Sequence, residues 1–313
     1  IPFAKGELRK SSDYKPSGMA ADTWTTAMWP DGSVKWLGVA GVTGSMATMQ
    51  RPVVDANTIT IDNGKLKLYV ARHGRNLIDS LIMDGKKICD GAHLVATTTN
   101  ATYASVVDSA VVERAGSSRA LIKICGTMSD GFRRWLPFTL RLYAYAANEQ
   151  LRMVHSFIYD GDQDKDFISS LGLTFDVPLR KETYNRHVMF AMDGGKMWHE
   201  PVQPLDGRSP LDRNYNWQER QQAGFEIPAA NTFDERQQTF LSEWASWDGF
   251  RLSQLNDGSF TIRKKAQADR PWIGTFTGCR SNGLAFVGDT EGGLALSLKD
   301  FWQQYPSTLQ ISD

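Results

Sequence analysis

The sequence feature that most constrains the fold is a stretch of alternating apolar residues between positions 132 and 176. Apolar side chains alternate with others over residues 136–145 and again over residues 151–159, with Ala-Asn-Glu-Gln between them. This period is typical of half-buried antiparallel strands joined by a short turn. A third strand is predicted over residues 168–177. Because strands of about ten residues exceed the usual five or six, we expect a broad sheet packed against a second layer, as in a large β-sandwich.

Composition narrows the classes of function. The 35 Lys and Arg residues balance the 35 Asp and Glu residues, so the net charge does not favour binding to nucleic acid or to an anionic membrane. Cys89, Cys125 and Cys279 are too few and too scattered for a disulfide framework or a zinc site. No apolar run reaches the roughly 18 residues of a membrane-spanning helix. We therefore expect a globular chain with no cofactor, no nucleic acid partner and no membrane partner.

The N-terminal residues 1–52 are predicted to form a first unit around the sequence WPDGSVKW. Its Pro-Asp-Gly segment is a turn signal, because Pro presets φ, Asp bonds the backbone and Gly accepts a positive φ. Residues 23–28 and 34–42 are then the arms of a hairpin, and residues 51–57 read as a linker. We predict a first domain over residues 1–55 and a second domain over residues 56–313.

The rest of the chain has the rhythm of a β-meander, with short apolar runs separated by Asn-Gly, His-Gly and Asp-Gly turns. Residues 204–235 are polar and irregular, and we predict that they form one long loop. Loops of this length in compact domains are usually functional or mobile. Since no segment shows a sustained period of 3.6 residues, we expect the chain to be almost entirely β.

Several short motifs together resemble a known family. They are PFAKGE at 2–7, WPDGSVKW at 29–36, DKDF and LGL between 164 and 173, NRHV at 185–188, WHEP at 198–201, and GGLAL, FW and YP between 292 and 306. In this combination the chain resembles the exo-acting rhamnogalacturonan lyases and their bacterial relatives. The resemblance extends over nearly the whole chain.

The resemblance implies an all-β fold with a small N-terminal barrel, followed by a large antiparallel β-sandwich of the supersandwich kind also found in sugar mutarotases. It further implies a C-terminal α/α toroid, which would follow residue 313, and a first barrel strand before Ile1. We therefore expect the chain to be a piece of a longer protein. The implied partner is an acidic polysaccharide or oligosaccharide, and the implied location is secreted or periplasmic.

A lyase of this kind cleaves a uronic acid glycoside by β-elimination. The reaction needs the carboxylate neutralised, the C5 proton removed and the leaving oxygen protonated, tasks that suit Arg or Asn, His or Tyr, and Tyr or His. The densest collection of such groups is Tyr184, Asn185, Arg186 and His187. On one strand, Tyr184 and Arg186 would share a face, and Asn185 and His187 the other. We predict Tyr184 and His187 as catalytic candidates and Arg186 as substrate-binding, with a hydrogen-bonded structural histidine as the alternative.

Two further groups of residues are candidates. His199 is a third candidate for proton transfer, and its neighbours Trp198 and Glu200 would bind sugar at a sheet edge. Arg133 and Arg134 would bind a uronate carboxylate through their guanidinium groups. The alternative for both arginines is an ordinary charge pair at the start of a strand.

Alternating aspartates between positions 160 and 166 raise the question of a calcium site. Carboxylates at alternate positions resemble the opening of a calcium loop, and they belong to Asp160, Asp162, Asp164 and Asp166. However, Leu171 stands where an EF-hand has its bidentate Glu, so we expect solvated turn carboxylates and assign no metal.

Together these patterns predict one wall of a lyase cleft, bordered by residues 186–200 and 203–235. The alternatives are a non-catalytic carbohydrate-binding or scaffold β-sandwich module, and a sandwich associated with a mutarotase or a glycosidase. A glycosidase would need a pair of carboxylates, which the sequence does not identify.

Overall fold

The computed structural model describes residues 1–208, 211–212 and 215–312. The chain forms two compact units, Ile1–Asp176 and Val177–Asp313. Most of the regular structure is antiparallel β-sheet, as the alternating sequence predicts. Within the described residues, no helix has the length and apolar character needed to cross a membrane.

The first unit contains thirteen strands. They are β1 Ala21–Met28, β2 Val34–Gly41, β3 Val53–Val54, β4 Thr58–Asp62, β5 Leu66–Ala71, β6 Ile78–Met83, β7 Lys86–Cys89, β8 Ala92–Thr98, β9 Thr102–Ala115, β10 Arg119–Ser129, β11 Arg134–Tyr145, β12 Leu151–Phe157 and β13 Ile168–Phe175. A short 3-10 helix, Ser11–Asp13, precedes β1.

Strands β1 and β2 form the predicted N-terminal hairpin. At its turn, the Gly32 N–H donates to the Trp29 carbonyl at 2.9 Å, and Gly32 has a φ of +79°. The Asp31 carboxylate accepts from the Ser33 N–H at 3.1 Å. The predicted turn is therefore confirmed, with Asp31 bonding the backbone and Gly32 at a positive φ as the sequence suggested.

The other strands of the first unit form an eleven-stranded antiparallel sheet. Its order is β12-β11-β10-β9-β8-β6-β5-β4-β3, with β13 paired to β8 and β7 paired to β6. The long central hairpin is β11 and β12, as predicted. On β10, Ile122 and Ile124 are fully buried on one face, so Arg119, Leu121 and Lys123 alternate onto the other.

The second unit is a sandwich of two four-stranded sheets. The first sheet has the strand order β15-β14-β19-β20. Its strands are β14 Arg186–Ala191, β15 Met197–Pro201, β19 Leu284–Asp289 and β20 Gly292–Ser297. The second sheet has the strand order β18-β17-β16-β21. Its strands are β16 Gly249–Asn256, β17 Ser259–Lys265, β18 Ile273–Gly278 and β21 Ser307–Ser312. Both sheets contribute to one buried core, made of Val188, Phe190, Phe250, Leu252, Phe260, Ile262, Ala285, Phe301 and Leu309. Interdigitation of two inner faces is what holds a β-sandwich together.

The prediction of one irregular loop over residues 204–235 is wrong. This stretch contains α1 Trp217–Gln222 and the 3-10 helix Ala230–Thr232, and it leads into α2 Glu235–Glu243. Its apolar residues Leu205, Leu211 and Ile227 form a second buried cluster with Tyr184 and Leu241. Part of the predicted loop, Ser209, Pro210, Arg213 and Asn214, lies outside the described residues.

Polar side chains explain why so irregular a sequence packs. The Asn216 side chain caps α1 by accepting from the Glu219 N–H. Asp234 and Gln237 form a capping box at the start of α2. The fully buried Gln221 accepts from the Leu205 N–H at 2.8 Å, which satisfies a backbone group that no strand reaches.

Candidate functional site

The candidate site is a pair of histidines on neighbouring strands of the second unit. His187 lies on β14 and His199 on β15, and Met189 pairs with His199 across the two strands. Because Val188 and Phe190 enter the sandwich core, His187 and His199 lie on the opposite face of the sheet. His187 Nδ1 and His199 Nε2 are 2.8 Å apart, and the two rings stack with centroids 5.0 Å apart.

Burial makes this pair electrostatically unusual. His187 is only 6% exposed, and its Nε2 is buried with no hydrogen-bond partner among the described residues. Burial, with the neighbouring His199 as a second cause, lowers the pKa of His187 to about 4. Burial also lowers the pKa of the half-buried His199. Both rings are therefore neutral at neutral pH, and a hydrogen bond between them requires one ring to donate and the other to accept.

The shared hydrogen bond leaves His199 Nδ1 as the ring atom from which a proton can be exchanged. Within the described chain this atom has no hydrogen-bond partner. If His199 Nε2 donates to His187 Nδ1, then His199 Nδ1 carries a free lone pair and acts as a base. In the other tautomer, His199 Nδ1 carries the proton and acts as an acid. The arrangement thus supports proton transfer in either direction.

Tyr184 lies away from this pair, and its predicted placement on a strand is wrong. Tyr184 and Asn185 belong to a 3-10 helix, Thr183–Asn185, and β14 begins only at Arg186. The cause is non-local: the buried Asn185 side chain donates to the Ile227 carbonyl and accepts from the Ile227 N–H, each at 2.8 Å. Tyr184 is 2% exposed, its hydroxyl donates to the Pro228 carbonyl at 3.0 Å, and burial raises its pKa. This geometry favours a structural role.

Trp198 faces the sandwich core, away from His199. Its ring stacks on Phe190 at 5.8 Å and packs against Phe250 at 6.0 Å. Arg186, predicted to bind substrate, is half-buried, and its Nε donates to the Lys181 carbonyl at 2.8 Å.

Glu200 forms an ion pair with Lys264 of β17, and both side chains are shielded, at 17% and 16% exposure. Lys264 also lies 4.0 Å from the centroid of the Trp247 ring. Because Glu200 and Lys264 come from different sheets, this pair connects the two layers of the sandwich.

Both candidate arginines of the first unit are also paired. Arg133 donates two hydrogen bonds to the Asp166 carboxylate, each 2.7 Å long. These bonds, with one from the Asp162 N–H, lower the pKa of Asp166 to about 2. Arg134 donates to Asp108 at 2.6 Å and to Thr127 at 2.8 Å. The geometry favours the alternative reading of the two arginines as charge pairs.

The alternating carboxylates also have structural partners. The Asp160 carboxylate accepts from the Leu136 N–H at 2.7 Å, and that of Asp166 accepts from the Asp162 N–H at 2.7 Å. Across residues 1–208, 211–212 and 215–312, no group of three or more His, Cys, Asp or Glu side chains has the geometry to hold a metal ion.

A cavity in the first unit was missed in the sequence. It has a volume of about 480 Å³ and is lined by Trp24, Glu113, Arg114, Arg119, Leu121 and Tyr143. The available signal was the alternation of Arg119, Leu121 and Lys123 opposite Arg141 and Tyr143 on the next predicted strand. Such a pattern places cations and an aromatic ring on one face of a sheet.

Comparisons with known proteins cover the whole chain. A family model described as the PcRGLX-like N-terminal RIFT barrel domain matches residues 1–56. A second, described as the PcRGLX-like protein central beta sandwich domain, matches residues 53–313. The chain is also 30% identical, over 348 aligned residues, to the uncharacterized protein YetA of Bacillus subtilis (strain 168). That match covers 100% of this chain and 40% of YetA, so the chain spans well under half the length of the curated relative.

The two matches follow one another in the order, barrel and then sandwich, that the family resemblance implies. The chain belongs to the PcRGLX-like family of rhamnogalacturonan lyase-like proteins, of which it contains the N-terminal barrel and the central β-sandwich.

Proposed function

We propose that the chain is part of a polysaccharide lyase that cleaves acidic plant polysaccharide of the rhamnogalacturonan type by β-elimination. The observation that carries this proposal is the match of two consecutive lyase-like family models to residues 1–56 and 53–313. Because the chain spans 40% of the length of YetA, the activity is proposed for the longer protein, in which this chain supplies one wall of the cleft.

The histidine pair supplies the chemistry in this proposal. His199 Nδ1 removes the C5 proton of the uronate, while His199 Nε2–H stays hydrogen-bonded to His187 Nδ1. The lowered pKa values of both rings keep the base unprotonated at neutral pH. His187 is a positioning residue, since it fixes the tautomer and the ring orientation of His199. A well-placed base of this kind contributes about 10² to 10⁴ in rate.

The test is a lyase assay on the longer protein, following the ultraviolet absorbance of the unsaturated uronate product. We expect His199→Gln to lower kcat by about 10²-fold or more. We expect His187→Gln to lower kcat less and to shift the acid limb of the pH profile, because the remaining ring loses its neighbour.

A matched control is His155→Gln in the first unit. His155 is a half-buried histidine whose pKa is also lowered by burial, and it stacks on Phe157. We expect this variant to keep the wild-type rate. Wild-type rates in both His187→Gln and His199→Gln would contradict the assignment of the pair.

A second candidate function is a non-catalytic carbohydrate-binding module. It is favoured over the lyase because Arg133 and Arg134, the two cations of the first unit predicted to bind the uronate carboxylate, are engaged in ion pairs. Oligosaccharide binding by the longer protein without formation of unsaturated product supports this function over the lyase.

We also propose that the protein acts in a secreted or periplasmic location, since a polymeric plant substrate lies outside the cell. Cell fractionation followed by immunodetection tests this location directly.

A further inference from the structure

The cavity of the first unit contains a buried cation without a counter-ion. Arg119 of β10 is 8% exposed, and its guanidinium lies 5.1 Å from the Trp24 ring centroid and 5.5 Å from that of Tyr143. Among the described residues, none forms a hydrogen bond or an ion pair with this guanidinium. The guanidinium nitrogens line the cavity and are not sealed in the interior, so an anionic ligand that enters the cavity can form the charged hydrogen bonds that the protein does not supply.

The nearest carboxylates already have other partners. Glu113 lines the cavity but accepts from Arg141 at 2.8 and 3.1 Å, and these bonds lower the pKa of Glu113. The Asp22 carboxylate accepts from the backbone N–H groups of Ser117 and Arg119 and from the Ser118 hydroxyl. Neither carboxylate neutralises the Arg119 side chain.

The surrounding sheet face adds positive charge. Arg114 of β9 lies 4.3 Å from the Trp24 ring centroid, and Arg152 of β12 lies 5.5 Å from that of Tyr143. Lys123 lies two positions beyond Leu121 on β10 and therefore on the same face. The cavity therefore has aromatic walls, formed by Trp24 and Tyr143, and positively charged side chains around it.

The N-terminal hairpin holds the aromatic wall in place. Trp24 pairs with Gly38 across β1 and β2, and its ring lies directly against that glycine. A Cβ added at Gly38 would come within 2.2 Å of the Trp24 ring, so a larger residue displaces the ring from the cavity. The orientation of Trp24 therefore depends on a residue that does not itself line the cavity.

We propose that this cavity binds a uronate residue of an acidic oligosaccharide. Arg119, with Arg114 beside it, binds the carboxylate, a contact for which the guanidinium fork is suited. Trp24 and Tyr143 present aromatic surface to the apolar face of the sugar ring. A volume of about 480 Å³ lies in the range of small-ligand sites. The site is independent of the histidine pair, and only the choice of a pectic uronate rests on the proposed function.

Isothermal titration of the chain tests the proposal with three probes: a rhamnogalacturonan oligosaccharide, its carboxyl-reduced form and inorganic phosphate. We expect the acidic oligosaccharide to bind, and carboxyl reduction to weaken binding by at least about tenfold, because it removes the charge that faces Arg119. Inorganic phosphate should neither bind tightly nor compete. Tight phosphate binding without oligosaccharide binding would overturn the proposal.

Variants then locate the binding site. Arg119→Met, which keeps the length of the side chain, should weaken binding at least about tenfold while circular dichroism stays unchanged. Gly38→Val should weaken binding with every cavity residue intact. The matched control is Arg251→Met in the second unit, since the Arg251 guanidinium also lies over a Trp ring, 4.3 Å from the Trp272 centroid. Equal binding by wild type and Arg119→Met would refute the site.

A fourth probe separates this proposal from the proposed function. If a glucuronate-containing oligosaccharide binds in an Arg119-dependent way and the pectic one does not, the uronate site stands and the rhamnogalacturonan substrate is rejected. If the pectic oligosaccharide binds but no unsaturated product forms with the longer protein, the site again stands and the lyase assignment fails.

Discussion

Lys264 in the second unit and Arg119 in the first are both shielded cations that lie against aromatic rings, yet their surroundings differ in one respect. Lys264 forms an ion pair with Glu200, while Arg119 has no carboxylate partner among the described residues. A paired charge at the interior is part of the scaffold, because removing either partner leaves the other uncompensated. Arg119 has only its aromatic contacts, and its guanidinium lines a cavity that an anionic ligand can enter.

The buried neutral side chains of the second unit also differ in whether they have a hydrogen-bond partner. Asn185 and Tyr184 are buried with their hydrogen bonds made, to Ile227 and Pro228. His187 is equally buried, but its Nε2 has no partner in the described part of the chain. Asn185 and Tyr184, with their hydrogen bonds made, therefore belong to the scaffold, whereas His187 keeps an unpaired ring nitrogen beside His199.

The largest expected effect is that of Lys264→Met. This variant keeps the contact with Trp247 but leaves the Glu200 carboxylate shielded and unpaired. We expect the free energy of unfolding to fall by about 2 to 4 kcal/mol, measured by urea denaturation. Lys299→Met is the control, because the Lys299 side chain is 88% exposed and should tolerate the change. A loss as small as that of the control would show that the ion pair between Lys264 and Glu200 does not stabilise the fold.

The second effect is a pH dependence of stability that comes from His187. Its pKa is about 4 in the folded protein and near 6.5 in the unfolded chain, so the unfolded chain binds more protons between these values. The stabilisation is present above pH 6.5 and is lost as the pH falls towards 4. Between pH 7.5 and pH 5 we expect wild type to lose about 2 kcal/mol more than His187→Gln, since the other histidines with lowered pKa values are present in both proteins. Urea denaturation at both pH values measures it, and parallel losses in the two proteins would contradict it.

A smaller effect is expected from Arg119→Met. The substitution loses two contacts with aromatic rings but removes a buried charge, and methionine keeps favourable contacts with aromatic rings. We expect the free energy of unfolding to stay within about 1 kcal/mol of the wild-type value. Urea denaturation beside Lys264→Met compares the unpaired cation with the paired one under identical conditions.

The smallest effect is that of Arg134→Ala. Its ion pair with Asp108 is half exposed, at 50% and 51% for the two side chains. Because solvent screens such pairs, we expect a loss of about 0.5 kcal/mol or less by thermal denaturation. A loss comparable to that of Lys264→Met would show that exposed pairs also belong to the scaffold.

Local patterns predicted the parts of the fold that local chemistry determines. The hairpin around Pro30, Asp31 and Gly32 follows from turn preferences, and the long strands β11 and β12 follow from the period of their apolar residues. The helices α1 and α2, which follow β15 and precede β16 along the chain, were missed because their stability comes from buried side chains such as Gln221 and Asn185. The local signals for them were Asn216 three residues before Glu219 and the Asp234 and Gln237 capping box.

The candidate sites were less predictable for a related reason. The sequence identified His187 and His199 as suitable chemical groups, but their hydrogen bond depends on the register of β14 and β15. Tyr184 was predicted on the strand of His187 but lies in the preceding 3-10 helix, since the Asn185 side chain hydrogen-bonds to Ile227. Arg119 gave no local signal of being unpaired, because the absence of a partner is visible only when every neighbouring strand is in place.

The most direct test of the account compares the urea midpoints of wild type and Arg119→Met, each with and without a saturating uronate oligosaccharide. The two proteins should have similar urea midpoints without ligand. Adding the ligand should raise the midpoint of wild type alone, since only a protein that binds the ligand is stabilised by it. An unliganded Arg119→Met protein as unstable as Lys264→Met, or equal stabilisation of both proteins by the ligand, would contradict the account.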